Sequence, residues 1–414
     1  MTEQFHVHEL ANGMTLLGQR MEHVSSAAMC LAVPAGAACD PDGCDGAASV
    51  ACEWVFRGAG ERDTRRLNDA LDALGCQRRE DVDSAHVVFS AAQLARNLGE
   101  VLGLYADVVR RPRLEDEAFE PCRTLVFQDL VALDDEPARK CGILLRERFY
   151  PRPLGRCVYG TSRTLQAMTP RAVRRHVAGR FAPGGSILAA AGDIDWSAFC
   201  DLADRHFGDW STPPPPEVQA GDAAGGTTHL RKESAQAHIA LAHAAPTVSD
   251  ARYYPARLAA AVLSEGMGSR LFTEVREKRG LVYHVGTRYH TLKDHAGMFT
   301  YAGARPGRAQ ETFEVTVGEL RRLAEGIEPD EMTRARTQLK SAVVMQGEST
   351  AARAGALVHD WYHLRRLRSL QEICDAVDKV TVDDCAACLR DYPAADFTIL
   401  VIGPEPVDPR AIHR

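Results

Sequence analysis

The feature that most limits the fold is a break in composition at the middle of the chain. Ser211-Thr212-Pro213-Pro214-Pro215-Pro216, continuing to Gly225-Gly226-Thr227-Thr228, is rich in proline and glycine and nearly free of apolar side chains. A proline run stiffens the backbone in an extended form and a glycine pair loosens it, so the stretch reads as a linker. It divides the 414 residues into two parts of about 200, each an ordinary size for one domain. The parts are patterned alike. Each opens with strands, passes through long amphipathic helices and keeps a late apolar strand running into glycine, Ile187 to Gly192 in the first and Phe397 to Gly403 in the second. The expectation is an α+β protein of two similarly patterned α/β domains. They would occupy 1–212 and 229–414, with 213–228 between them.

Composition excludes several classes. A chain with 45% hydrophobic and 25% charged residues has the make-up of a soluble globular protein. Its formal net charge of -7 lacks the basic surplus of a nucleic-acid binder. The N-terminal residues show neither the positive start nor the apolar core of a signal peptide, and no run approaches the roughly 20 apolar residues of a membrane helix. A cytoplasmic location without membrane contact is the default reading. The 12 cysteines are scattered and read as mostly buried, reduced thiols. Cys385 and Cys388 form the single C-x-x-C, which has no second pair to complete a zinc knuckle and lies in an expected helix.

The candidate chemistry lies in Gly46-Ala-Ala-Ser49-Val-Ala-Cys52-Glu53-Trp54-Val55-Phe56-Arg57-Gly58, an apolar helical stretch closed by glycine. Ser49 and Glu53 are one turn apart and so share a helix face. The inverted zincin motif H-x-x-E-H uses that geometry: two histidines hold zinc from one face and a glutamate acts as base. Ser49 and Glu53 stand where the histidines would, and Cys52 where the glutamate would.

This stretch resembles the motif of the M16 (pitrilysin/insulinase) metallopeptidases, and three more blocks extend the resemblance. They are Leu125 to Leu130 with Asp134 to Pro137; Leu154 through Phe181-Ala182-Pro183 to Gly192-Asp193; and Gly268 to Tyr283. The length is similar to that of the M16B subunits exemplified by mitochondrial processing peptidase. The resemblance implies two homologous α/β domains, each a mixed sheet packed with helices, forming half of a clamshell. It aligns Asp129 with the distal glutamate ligand and Cys122 with a glutamate seven residues earlier. A serine hydroxyl is a poor zinc ligand and a thiol a poor proton shuttle, so neither zinc nor base is expected here. Glu53, Asp129 and a hydroxyl would suit magnesium or calcium weakly; a solvated polar remnant is the plainer reading.

By the same resemblance, Arg276 and Tyr283 match the family's substrate-gripping pair, donors aimed at the peptide and its developing oxyanion. The implied role is that of a zinc-free, substrate-binding subunit in a heterodimeric peptidase. An H-x-x-E-H-bearing partner would hold the zinc, and a peptide would pair as an added strand. The alternative is a catalytically silent M16-like scaffold or assembly protein. An independent peptidase with an unusual metal site is disfavoured by the losses at 49, 52 and 53. His284, His290 and His295 lack ligand spacing, and the arginines at 171, 174, 175 and 180 read as a solvated helix face.

Overall fold

The structure is a computed structural model that describes residues 3–410. Strands β1 (Phe5–Glu9), β2 (Thr15–Arg20) and β3 (Ser26–Val33) lead into helix α1 (Ala47–Val55). A small ribbon, β4 (Gly58–Ala59) and β5 (Arg62–Asp63), precedes helix α2 (Thr64–Ala73) and strands β6 (Gln77–Val82) and β7 (Val87–Leu94). Helices α3 (Leu98–Arg110), α4 (Asp116–Ala132), α5 (Pro137–Phe149), α6 (Ser162–Ala167) and α7 (Pro170–Arg180) follow, then β8 (Ile187–Gly192) and α8 (Trp196–Phe207). Residues 211–226 carry no helix or strand. Beyond them come β9 (Thr227–Arg231), β10 (Ala237–Ala244), α9 (Tyr253–Ser264), a π-helical turn over Phe272–Glu277, β11 (Val282–Thr291) and β12 (Ala296–Ala304). The chain closes with α10 (Ala309–Arg322), α11 (Pro329–Gly347), α12 (Thr350–Leu364), α13 (Leu370–Lys379), α14 (Val382–Asp391) and β13 (Thr398–Gly403). Among the described residues, no helix is long and apolar enough to cross a membrane.

The fold class is the expected one, a mixed sheet packed with helices in each of two units. The first unit holds a six-stranded sheet in the order β1-β2-β8-β3-β7-β6. The pairing is antiparallel except for β2 with β8. Side chains alternate across a strand, and both faces of this sheet are apolar. Leu16, Met29, Leu31, Leu188 and Ala190 face the main core with α1, α3 and α8. Leu17, Ala28, Cys30, Ala189 and Ala191 face the other way, against Ala354, Leu357 and Val358 of α12. At the margin of that contact Arg353 Nε donates to Gln19 Oε1 at 2.7 Å, and its guanidinium lies 3.2 Å from Glu3.

The second unit holds a five-stranded sheet in the order β11-β12-β10-β13-β9, antiparallel but for β13 with β9. Ile239, Leu241, Ile399 and Val401 meet the helices α9, α10 and α11 on one face. Ala240, Ala242, Leu400 and Ile402 meet Cys141 and Leu145 of α5 on the other.

The compact units are therefore not the contiguous stretches 1–212 and 229–414. The first comprises Met1–Ala132, Arg156–Ala220 and Gln346–Leu367; the second comprises Leu133–Gly155, Gly221–Met345 and Arg368–Arg414. Each takes one helix from the other half of the sequence. The reason is that β8, β10 and β13 are buried along nearly their whole length, and strands buried on both faces need cover on both sides. Thr227 and Thr228, expected in the linker, begin β9 and pair with Ile399 and Leu400.

Candidate functional site

Helix α1 is built to be held in place. Its first turn has no side-chain cap of its own; Gly46 sits at φ 96°, where a Cβ would meet the Tyr159 carbonyl oxygen at 2.8 Å. The Asp40 carboxylate takes over the capping, accepting from Gly46 N at 2.7 Å and Ala48 N at 2.8 Å. Arg156 donates to the Asp40 carbonyl at 2.5 Å and ion-pairs with Asp42 at 3.0 Å and Asp45 at 3.2 Å. Burial nonetheless raises the Asp40 carboxyl to about 7, against the lowering pull of the two amides and Arg156. At the other end Trp54 Nε1 donates to Glu115 O at 3.1 Å, with the indole edge-on to Phe119 and under Arg174.

The three motif positions do not converge as their shared face suggests. Ser49 is 8% exposed, and its hydroxyl donates to Val158 O at 2.7 Å. Glu53 points to solvent and pairs with Arg57 at 3.6 Å, one turn on. Cys52 is 6% exposed. Burial, with Glu53, Glu80 and Asp81 adding negative charge nearby, pushes its thiol well above the ordinary value. Such a thiol stays protonated and has no base character. Cys122, on α4, is buried and hydrogen-bonded by Arg57, which opposes the upward push of burial on its thiol. Asp129 lies farther along α4 on its exposed side and has no ion pair among the described residues. No group of three or more His, Cys, Asp or Glu side chains among the described residues is disposed to hold a metal ion. The donors present, a hydroxyl committed to a carbonyl, a protonated thiol and a carboxylate paired with arginine, do not fit zinc.

Strand β6, which sequence reasoning missed, runs beside α1 at the sheet edge. Its sequence Gln-Arg-Arg-Glu-Asp-Val has no apolar alternation. What holds it is pairing to β7 over Gln77↔Ala92 to Val82↔Val87, helped by Arg78–Glu80 at 3.8 Å and Arg79–Asp81 at 2.5 Å. Arg78 also lies over the Phe56 ring at 5.1 Å. Burial raises the Glu80 carboxyl, Arg78 opposing this and Glu53 adding to it.

In the second unit, two backbone irregularities bring Arg276 and Tyr283 together. The segment is π-helical across Phe272–Glu277, as the Lys278 N to Thr273 O bond shows. The β11–β12 register then shifts between Val282 and His284. Tyr283 is the extra residue, a bulge that turns its side chain out of the ladder. It is 80% exposed rather than packed in the core. The Arg276 guanidinium carbon sits 5.4 Å from the Tyr283 ring centroid and 4.8 Å from that of Phe272. Behind them the segment is pinned by Arg270, 6% exposed, which donates to Glu331 at 2.8 and 2.7 Å and to Gly326 O at 2.6 Å.

His290 and the C-x-x-C pair resolve into structure. The His290 ring bonds Tyr150 Oη at 2.8 Å and approaches Arg146 at 3.4 Å, and burial lowers its pKa to about 4. Cys385 and Cys388 point to the carbonyls of Pro255 and Arg252, their thiols raised by burial to about 12 and about 11. Among the described residues, no disulfide joins any of the 12 cysteines.

Comparison with known proteins agrees with this architecture. The family model described as insulinase (peptidase family M16) matches residues 16–162, and that described as peptidase M16 inactive domain matches 167–339. A Rickettsia felis protein named an uncharacterized zinc protease is 25% identical over 411 residues, 98% of each chain. One of the same description from Mycobacterium leprae is 26% identical over 403 residues, 95% of this chain and 91% of that one. Among solved structures, a peptidase M16 inactive domain from Pseudomonas fluorescens superposes with a TM-score of 0.89 at 19% identity, covering 99% of both chains. A protease from Helicobacter pylori gives 0.86 at 17% identity, covering 97% of this chain and 100% of that one. The chain thus belongs to the M16 (pitrilysin/insulinase) peptidase family, as a member whose zinc motif is altered at Ser49, Cys52 and Glu53.

Proposed function

We propose that this chain is the zinc-free, substrate-binding subunit of a heterodimeric M16-type peptidase, its partner supplying the intact H-x-x-E-H site. One contrast carries the reading. Ser49 and Cys52 are absorbed into the fold, by the Val158 carbonyl and by the core, and Glu53 turns outward to Arg57. By contrast Arg276, half-buried, and Tyr283, exposed, are set on a π-turn and a bulge. Irregularities of this kind persist where they aim side chains at a ligand. A scaffold needs neither. The unpaired side of β6 supports the reading further, because an extended peptide can add to an open edge through main-chain hydrogen bonds. In this role Arg276 and Tyr283 act on the substrate as donors, and the metal chemistry belongs to the partner.

The test is zinc content together with cleavage of a quenched peptide library, by this chain alone and mixed with an M16 subunit bearing H-x-x-E-H. The expected result is a zinc-free, inert chain whose mixture cuts, with cutting abolished by Arg276→Ala. Stoichiometric zinc and cleavage by the chain alone would overturn the proposal. Failure of both preparations to cut would leave the silent scaffold as the better description.

A further inference from the structure

The surroundings of Arg276 narrow what it binds. Every other cation of its block has a carboxylate. Arg270 holds Glu331; Lys278 and Arg279 share Glu274 at 2.7 and 2.8 Å; and Arg322 on α10 takes Glu319 at 2.6 Å. The pull of Lys278 and Arg279 holds the Glu274 carboxyl below its ordinary range, so that acid is fully engaged. Arg276 alone of these has no carboxylate within ion-pairing distance among the described residues. Its guanidinium is instead steadied by the rings of Phe272 and Tyr283 at 4.8 and 5.4 Å.

Stacking on rings restrains the guanidinium without consuming its N–H groups, which lie in its plane. A planar fork held in that way is preorganised for a planar, bidentate anion. Because Tyr283 is 80% exposed, its phenol can donate from the rim.

We infer that Arg276, Phe272 and Tyr283 form a carboxylate-binding subsite, selecting peptides that present a carboxylate. This rests on the peptide-binding role proposed above and adds the chemical class of the ligand. Two sources share the chemistry, a peptide C-terminus and an aspartate or glutamate side chain.

Three fluorescent peptides of one neutral sequence separate them: a free C-terminal acid, its C-terminal amide, and an amide carrying one internal glutamate. Each is titrated by anisotropy against the full chain, at low and at high salt. The expected result is that the acid, the glutamate peptide or both bind about tenfold or more tighter than the plain amide, as a charge-assisted pair allows. The advantage shrinks with salt. Arg276→Gln erases it, so that within this variant the acid and glutamate peptides bind no tighter than the plain amide. Arg276→Lys, a point charge without the fork, keeps only part of it, and Phe272→Leu reduces it severalfold with the arginine intact. Which charged peptide gains identifies the source. Equal binding of all three peptides, weakened alike by Arg276→Gln, would overturn the subsite while the peptide-binding role stands. No binding of any peptide would overturn both.

Discussion

Replacing Cys52 by glutamate restores the residue that an inverted zincin motif carries there, and the structure says that the restored residue will not be accommodated. Cys52 is 6% exposed, within the core of α1, and its surroundings already include the acids Glu53, Glu80 and Asp81. A carboxylate placed there loses its hydration and meets three like charges, and among the described residues no cation is found to offset them at Cys52. The effective penalty for burying an unpaired charge is several kcal/mol, and overpacking adds more. We expect a loss of about 3–5 kcal/mol at pH 7. For a unit of about 220 residues, that lowers the thermal midpoint by roughly 10 °C. Cys52→Gln, of equal size but uncharged, isolates the charge. The new carboxyl would have a folded-state pKa above its unfolded value of about 4.3. Its stability relative to glutamine is then greatest below that pH and is lost as pH rises. The gap between the two variants therefore widens from pH 5 to pH 8 in thermal melts. Identical melting of the two variants across that range, or a loss under about 1 kcal/mol at pH 7, would show that the base position is still open and refute the argument.

Two further outcomes follow from buried charges. Arg270→Met strands Glu331 beside the π-turn and should cost about 3–5 kcal/mol in urea unfolding, with most of it recovered in Arg270→Met/Glu331→Leu; an additive double mutant would contradict this. Because Arg270 holds the Glu331 carboxyl below its usual range, the wild-type advantage is present above about pH 4.3 and is lost as pH falls through the folded pKa. Asp40 runs the other way. Burial raises it to about 7, so its stabilising contribution is present at acid pH and declines as pH rises toward 7. Asp40→Asn should destabilise less, relative to wild type, at pH 8 than at pH 5, and chemical unfolding at the two pH values checks the sign.

Where the sequence carried a periodic signal, it was readable. The Asn12-Gly13 turn lies between β1 and β2, and the apolar runs at 27–33, 187–192, 238–243 and 398–402 lie in β3, β8, β10 and β13. The leucines at 67 and 71 face inward from α2. Strand β6 was not readable, because an edge strand of charged residues is specified by its partner β7 rather than by its own pattern. Nor did spacing distinguish an α-turn from the π-turn at 272–277, since the difference lies in which carbonyl each amide reaches. That Ser49 and Glu53 share a helix face was readable; that each is captured by a different neighbour, Val158 and Arg57, was not.

The amino-acid order alone determined two similarly patterned α/β halves and the absence of histidine and glutamate at Ser49, Glu53 and Cys52, where an H-x-x-E-H motif carries them. These are matters of residue type and period, which survive without knowing what lies opposite. Tertiary structure decided the rest. Strands such as β8 and β10 are apolar on both faces, and only the folded chain shows that α12 covers one sheet while α5 covers the other, each drawn from the opposite half. In the same way, only packing brought the Arg276 guanidinium over the rings of Phe272 and Tyr283. An arginine's partners are fixed by what surrounds it in space, and a π-turn and a bulge, neither carrying a periodic mark, put two rings there instead of a carboxylate.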